Sequence, residues 1–464
     1  MTWQPHIITK PTIDEIKQTI PDYEKVLVSI LDVVLERYDR APDYPFIDTK
    51  LSTLTGQDFS SREPEYRRRD VIYGWIQGRG LEALVGHAQW LPHCSLLKPE
   101  EQGKRIDRIR KIVVEVATQM EKMRARNNGR LFFCMRPDGT PLEIDDSGHL
   151  CSGRIPDGSN YSELFYSKGL LAAGSMLGNS EWGTSAVELL TKALNDIEDD
   201  RFVCDEQQFN PPRKTRRDPR QHPEGPWMIA LGALALAYEK TGERQWLQRG
   251  EKFLRHLLSA HLNRGQFPGL QEYDFVEVLD ERGQPWTMEG RVLSVPGHTL
   301  EFIGLGLKLL FHMQNKPEWQ ELVKECRRIF PPLFVHTFRL GFNSTGGGIY
   351  NSIDLISRRP VDTNMPWWAL PETMRAAAEL LAFATGMQER QQVLQALADC
   401  SNAFLANYIN PRAHFMAYQT LDQTGQPVDI IPATPDADPG YHTGLCIIDV
   451  VGRTSGDCRK SPIG

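Results

Sequence analysis

Apolar residues recur at helical spacing through most of this chain, and the recurrent segments arrive in pairs joined by short polar turns. Segments 23–38, 106–123, 162–176, 185–197 and 226–240 place apolar side chains at i, i+3, i+4 and i+7; 246–260, 298–313, 318–330, 367–385 and 389–408 repeat the pattern. The turns between partners are brief: Thr241-Gly242-Glu243-Arg244, Asn315-Lys316-Pro317-Glu318 and Thr385-Gly386-Met387-Gln388-Glu389. A helix with one apolar face must bury it, and a succession of antiparallel pairs does so by stacking into a solenoid or closing into a ring. The pattern predicts an all-α chain.

Three longer connections differ. Segments 130–143, 347–360 and 413–427 each read as short strand, glycine-containing turn and short strand. Such β-hairpin insertions would roof one rim of a helical ring and build a pocket there. No linker interrupts residues 1–451, which predicts a single domain, and 452–464 lacks apolar periodicity and is expected to be a disordered tail.

Charge narrows the partners. The 53 basic and 60 acidic side chains give −7, spread along the sequence. The one dense basic run, 213–220, sits among prolines, so a solvated loop is favoured over a polyanion site and no nucleic-acid partner is expected. The longest apolar stretch, 227–238, is one helix long and too short to span a membrane. The N-terminus shows no leader-like basic and apolar regions, and eight cysteines are scattered without CxxC spacing. Together these predict a cytoplasmic protein with reduced thiols, no disulfide frame and no zinc site.

Four segments could carry chemistry. Pro296-Gly297 opens an apolar helix with His298 in its first turn and Glu301 three residues on, so the carboxylate could fix the imidazole tautomer. Capping of the first turn by Glu301 and half of a metal site compete with that reading; no HExxH spacing supports the latter. Trp75-Ile76-Gln77-Gly78-Arg79 sets an arginine in an apolar context, either as a structural ion pair or as a functional cation. Trp367 and Trp368 precede Glu372 and could be core or a platform for the apolar face of a sugar. Tyr441-His442 follows the breaker Asp438-Pro439-Gly440 and says nothing alone.

Together, and in this order, the segments resemble the N-acylglucosamine 2-epimerase family. Trp75 to Arg79 is similar to its WLQGR motif, Ser162-Glu163-Leu164-Phe165-Tyr166 to SExFY, and Gly290-Arg291 with Pro296-Gly297-His298 and Glu301 to GRxxxPGHxxE. Trp367, Trp368 and Glu372 match WWxxxE, and Tyr441-His442 matches the late YH motif. The sequence departs where Met365-Pro366 replaces the basic residue usual before the tandem tryptophans and where Ala369-Leu370 follows them.

The resemblance implies an (α/α)6 barrel with a pocket at one end for a reducing sugar. It implies catalysis by His298 and His442, which exchange the C2 proton on opposite faces of an enediolate, with Arg79 stabilising the charge on O1. Glu301 and Glu372 would support the histidines; Trp75, Glu163, Trp367 and Trp368 would contact substrate. No cofactor or metal is required by that chemistry. Assembly is open between monomer and homodimer. The sugar is open too, N-acetylglucosamine/N-acetylmannosamine being one pair. Aldose–ketose isomerisation as in a mannose isomerase, glycoside hydrolysis through Glu301 and Glu372, and sugar binding without turnover are the alternatives.

Overall fold

The computed structural model describes residues 3–213, 218–384 and 386–455. Six helices form an inner ring: α3 (Gly74–Trp90), α5 (Tyr161–Leu177), α7 (Gly225–Thr241), α9 (Pro296–Met313), α11 (Ala369–Phe383) and α13 (Cys446–Thr454). Each packs on the next, and α13 with the π-helical turn before it, Tyr441–Leu445, closes the ring on α3. The outer layer is α4 (Pro99–Arg126), α6 (Ser180–Glu198), α8 (Arg244–His256), α10 (Gln320–Gly341) and α12 (Arg390–Ala403), each against the inner helix it follows. Helix α2 (Ile20–Arg40) completes the outer layer by packing on α13, so the two ends of the chain share one hairpin position. A short α1 (Ile13–Lys17) precedes it. The architecture is an (α/α)6 barrel.

Composition explains which helices are inside. Outer α8 has a single buried stripe, Trp246, Leu247, Gly250, Phe253 and Leu254, whereas α7 and α9 are buried on nearly every side. Helix α3, not anticipated from periodicity, is the extreme case, since it is buried almost throughout and carries four glycines, so it has no polar face to mark it. Its glycines serve close approach. A Cβ on Gly78 would stand 2.5 Å from the Phe165 carbonyl carbon, and one on Gly169 would stand 2.4 Å from the Gly78 oxygen. Gly78→Ala is therefore expected to push α3 from α5 and cost about 3 kcal/mol, read as a lower denaturant midpoint with unchanged slope.

Helix α10 runs through Pro331 and Pro332 to Gly341, past the expected end at 330. Buried Leu333, Phe334 and Val335 hold the continuation although two backbone donors are lost.

Strands gather at the end where the inner helices begin. Ile72–Tyr73 leads into α3, His222–Pro223 into α7, Arg291–Ser294 into α9 and Met365–Pro366 into α11. The hairpin in 130–143 forms, with Cys134 and Met135 paired to Leu142 and Pro141. Within 347–360, Ser352–Asp354 turns back on Arg359–Asp362, and this pair extends through Arg291–Ser294 to Thr287–Met288 in a four-stranded sheet. The third expected hairpin is corrected. Met416–Ala417 pairs with Ile409–Asn410 and Thr420–Leu421 with Met365–Pro366, leaving one Leu421–Pro427 bridge inside 413–427. Buried Leu421 satisfies its ladder with the strand entering α11 rather than with its own turn.

The expected tail boundary at 452 also shifts, since α13 reaches Thr454, anchored by Arg453 Nε donating to Glu379 at 2.7 Å. Residues 456–464 of that segment, and 214–217 of the basic run, lie outside the described residues. Among the described residues no helix is long and apolar enough to cross a membrane.

Candidate active site

A cleft of about 1050 Å³ opens at the strand-bearing rim, with Tyr161, Glu206, Trp227, His261, Glu277 and His298 among its walls. His298 reaches it because Pro296 starts α9 at the rim and Gly297 lets the first turn lie on Trp368, where a Cβ would meet the indole at 2.7 Å. The two rings stack, with centroids 5.2 Å apart and planes at 25°.

His298 does not pair with Glu301. Its Nδ1 is 2.8 Å from Glu277 Oε1 and 3.4 Å from Glu224 Oε1. These carboxylates meet beside it because the Glu224 amide donates to the Glu277 carbonyl at 3.0 Å, tying the entry of α7 to the segment before the 287–294 hairpin. The capping reading of Glu301 fails as well, since the first-turn amides of His298 and Thr299 donate to the Val295 carbonyl, at 3.0 and 3.3 Å. Burial disfavours the imidazolium, but the charge and hydrogen bond of Glu277, then Glu224 and Glu301, outweigh it and push His298 up to about 10.

That value lies above the 6.5 of an unperturbed imidazole, so the stabilisation from protonated His298 is complete below about 6.5 and lost as pH rises through about 10. Glu277→Gln removes the leading favourable partner. The His298 ring-proton resonance should then titrate at lower pH than in the parent, and unfolding stability should fall off at lower pH; an unmoved titration would refute this assignment.

His442 sits in the π-helical turn behind Gly440, whose φ is +93°. Its Nδ1 is 2.8 Å from Glu372 Oε1, which also accepts from Cys446 Sγ at 3.2 Å, while Arg375 Nη2 donates to Glu372 Oε2. Burial alone would raise the Glu372 carboxyl, yet the Arg375 guanidinium and the His442 hydrogen bond overcome it and hold it at about 2. Glu301 joins this group, with one ligand-type atom each of Glu301, Glu372 and His442 within 4.8 Å of one another. Burial, then the charge of Glu372, raises the Glu301 carboxyl.

Trp368 lies between the two imidazoles, its ring 5.9 Å from that of His442, and Trp367 meets His442 edge-on at 6.1 Å. Arg79 is held by aromatic faces instead of a carboxylate: its guanidinium carbon is 4.1 Å from the Phe165 centroid, 4.8 Å from Trp75 and 5.2 Å from Tyr441. Its Nε is buried without a hydrogen-bond partner, and among the described residues no carboxylate pairs with it. Burial lowers its pKa, opposed by the negative charge of Glu301, Asp438 and Glu372 nearby. The structural ion-pair reading of Arg79 is thereby set aside.

Glu163 is corrected. It is fully buried, closes a capping box with Asn160 at the start of α5 and pairs with Arg130 Nε at 2.6 Å, away from the cleft. Its oxygens are taken up in holding a helix end, which leaves nothing for a ligand. Trp75 packs edge-on against Phe133 and Tyr161 and serves as a wall for Arg79. Glu224, Glu277 and Arg375 were not singled out in the sequence, so the Glu224–Glu277–His298 trio was missed; Glu301, Glu372 and His442 were singled out, but not their grouping together. Glu224 carried a faint signal as an acid just before the Gly225-Pro226 helix start. The basic run contributes Arg213 to the cleft wall, and Arg220 Nη2 pairs with Asp218 at 2.7 Å.

The N-acylglucosamine 2-epimerase (GlcNAc 2-epimerase) family model matches residues 101–446. No curated protein sequence gives a match. Solved structures similar to the chain include a sugar epimerase from a ruminal bacterium, 13% identical with TM-score 0.65, over 94% of this chain and 98% of that one. Cellobiose 2-epimerase from Spirochaeta thermophila is 15% identical with TM-score 0.64, over 97% and 98%. A D-mannose isomerase is 13% identical with TM-score 0.58, over 91% and 97%. At such identities the likeness establishes the barrel, while the family match extends over most of the sequence. The chain is an enzyme of the N-acylglucosamine 2-epimerase family.

Proposed function

We propose that the enzyme interconverts a reducing sugar and its C2 epimer by proton transfer between His298 and His442 through an enediolate. The observation that carries this reading is the placement of two carboxylate-oriented imidazoles about one indole, His298 stacked on Trp368 and His442 at 5.9 Å from it. With Nδ1 hydrogen directed at Glu372, neutral His442 presents an Nε2 lone pair to take the C2 proton from one face of the open-chain sugar. Protonated His298 returns a proton to the other face, and the reverse direction exchanges the roles. Negative charge that gathers on O1 meets Arg79, whose guanidinium is not committed to a carboxylate among the described residues and carries no reorganisation cost. Return of the proton to C1 instead of C2 would give aldose–ketose isomerisation at the same site.

The cleft of about 1050 Å³ stands at the top of the range for small-molecule sites, about 300–1,000 Å³, which supports a substrate of more than one ring. Neighbours described as cellobiose 2-epimerase and D-mannose isomerase frame the choice of sugars to assay, beside N-acetylglucosamine. Hydrolysis through Glu301 and Glu372 is disfavoured, because Glu372 is wholly buried with both oxygens engaged by His442, Cys446 and Arg375. We place the enzyme in a reducing cytoplasm, the reading that eight scattered cysteines without CxxC spacing support.

Incubation of reducing disaccharides and hexoses with enzyme, followed by chromatography, tests the reading. An isomer of equal mass is expected; release of a smaller sugar would overturn it. The scheme asks nothing of a metal, so activity should survive exhaustive EDTA treatment and dialysis. Loss under EDTA, restored by a divalent ion, would reassign His298 from proton carrier to ligand.

A further inference from the structure

The trio at the cleft wall sets two carboxylates against a single imidazole and leaves one of them without a hydrogen bond. Glu224 is fully buried, and neither of its carboxylate oxygens has a hydrogen bond. Its nearest polar contact is His298 Nδ1 at 3.4 Å, already committed to Glu277 at 2.8 Å. Among the described residues no lysine or arginine pairs with Glu224 or Glu277. A buried carboxylate in this state either takes up a proton or keeps its charge by binding a cation.

The second trio shows the contrast. There Arg375 already supplies the cation, bonded to Glu372 beside His442 and Glu301. At the first trio one imidazole nitrogen and two carboxylate oxygens lie within 4.8 Å of one another, and the His298 side chain is about one-third exposed, 32%, to the cleft. With ligand atoms about 2.1 Å from an ion, separations of 2.8 and 3.4 Å subtend roughly 85° and 110° at it, the angles of octahedral and tetrahedral coordination. Mixed nitrogen and carboxylate ligands suit zinc or its transition-metal neighbours better than calcium, which takes oxygen alone. The cleft side supplies the open positions.

We infer that Glu224, Glu277 and His298 form a site for one divalent transition-metal ion at the wall of the cleft. The ligands come from the entry to α7, the segment before the 287–294 hairpin and the first turn of α9, so the ion would pin three parts of the rim together. It would also occupy His298 Nδ1. The consequence for turnover rests on the proposed function: an occupied site withdraws His298 from proton transfer, so zinc should inhibit the enzyme and EDTA should relieve the inhibition.

Binding is tested without reference to activity. Full-length enzyme, stripped with EDTA and dialysed, is titrated with Zn²⁺ by calorimetry and with Co²⁺ by visible absorption. One ion per chain is expected, with Co²⁺ d–d bands. Glu224→Gln keeps the shape of the side chain and should weaken binding about 100-fold or more, since even partners behind the ligands change affinity 10–100-fold. Glu277→Gln serves the same purpose should the first variant misfold by circular dichroism. Absence of stoichiometric binding, or binding that both variants retain at parental strength, overturns the inference. Metal-free enzyme assayed for C2 exchange in parallel separates the two readings. Zinc binding without exchange would leave the site standing and sink the epimerase scheme, whereas exchange without zinc binding would do the reverse.

Discussion

Replacing either His298 or His442 with asparagine is expected to cut kcat by on the order of 10²–10⁴, the usual worth of a positioned acid–base group. Asparagine keeps an amide hydrogen near Nδ1, so the bonds now made to Glu277 and to Glu372, each 2.8 Å, can persist and the ring should stay folded. What it cannot do is carry a proton. The two variants should also differ in what they retain. If each histidine serves one face of C2, the single variants lose epimerisation, but the survivor can still exchange the proton on its own face. Retention of more than about a tenth of parental turnover in either variant would remove that residue from the scheme.

The second large effect is at Arg79. Its guanidinium is caged by Phe165, Trp75 and Tyr441 and, among the described residues, lacks an ion pair, so it contributes burial cost and little stabilisation to the folded chain. Arg79→Met should therefore leave the unfolding midpoint unchanged or raise it while kcat falls by about 10²–10³, the magnitude seen when a charge-stabilising donor is removed. Arg79→Lys keeps the charge over the rings but loses the planar fork, and should be nearly as damaging. The loss belongs in kcat because the O1 charge develops at the transition state. A fall in stability with kcat intact would make Arg79 a structural residue instead.

The barrel was legible in the sequence because ten segments repeat apolar residues at helical spacing, and outer helices such as α8 bury one stripe and leave another wet. Helix α3 escaped since it is surrounded on all sides and its Gly74, Gly78, Gly80 and Gly86 erase the apolar period. The ordered motifs singled out His298, His442, Arg79 and the tandem tryptophans, and in the fold Trp368 lies against both imidazoles. The partners of His298 were illegible for a different reason. Spacing favoured Glu301 on the same helix face, but the imidazole turns to Glu277 and Glu224, 21 and 74 positions away in sequence, which the packing of α7 on α9 brings beside it. Glu301 turns inward to Glu372 and His442. Glu163 misled because a motif residue can be kept for a helix cap as readily as for a ligand.

In the proposed reaction the C2 proton of a reducing sugar leaves and returns at the His298–His442 site. Proton NMR of candidate sugars with metal-stripped enzyme in heavy water reads that step directly. The C2 signal of substrate and product is expected to disappear as deuterium enters, with every other carbon-bound proton retained, and no such loss is expected in the His298→Asn/His442→Asn double variant. Product formation with the C2 signal fully retained would contradict it, because the proton would then never have passed through an exchangeable imidazole.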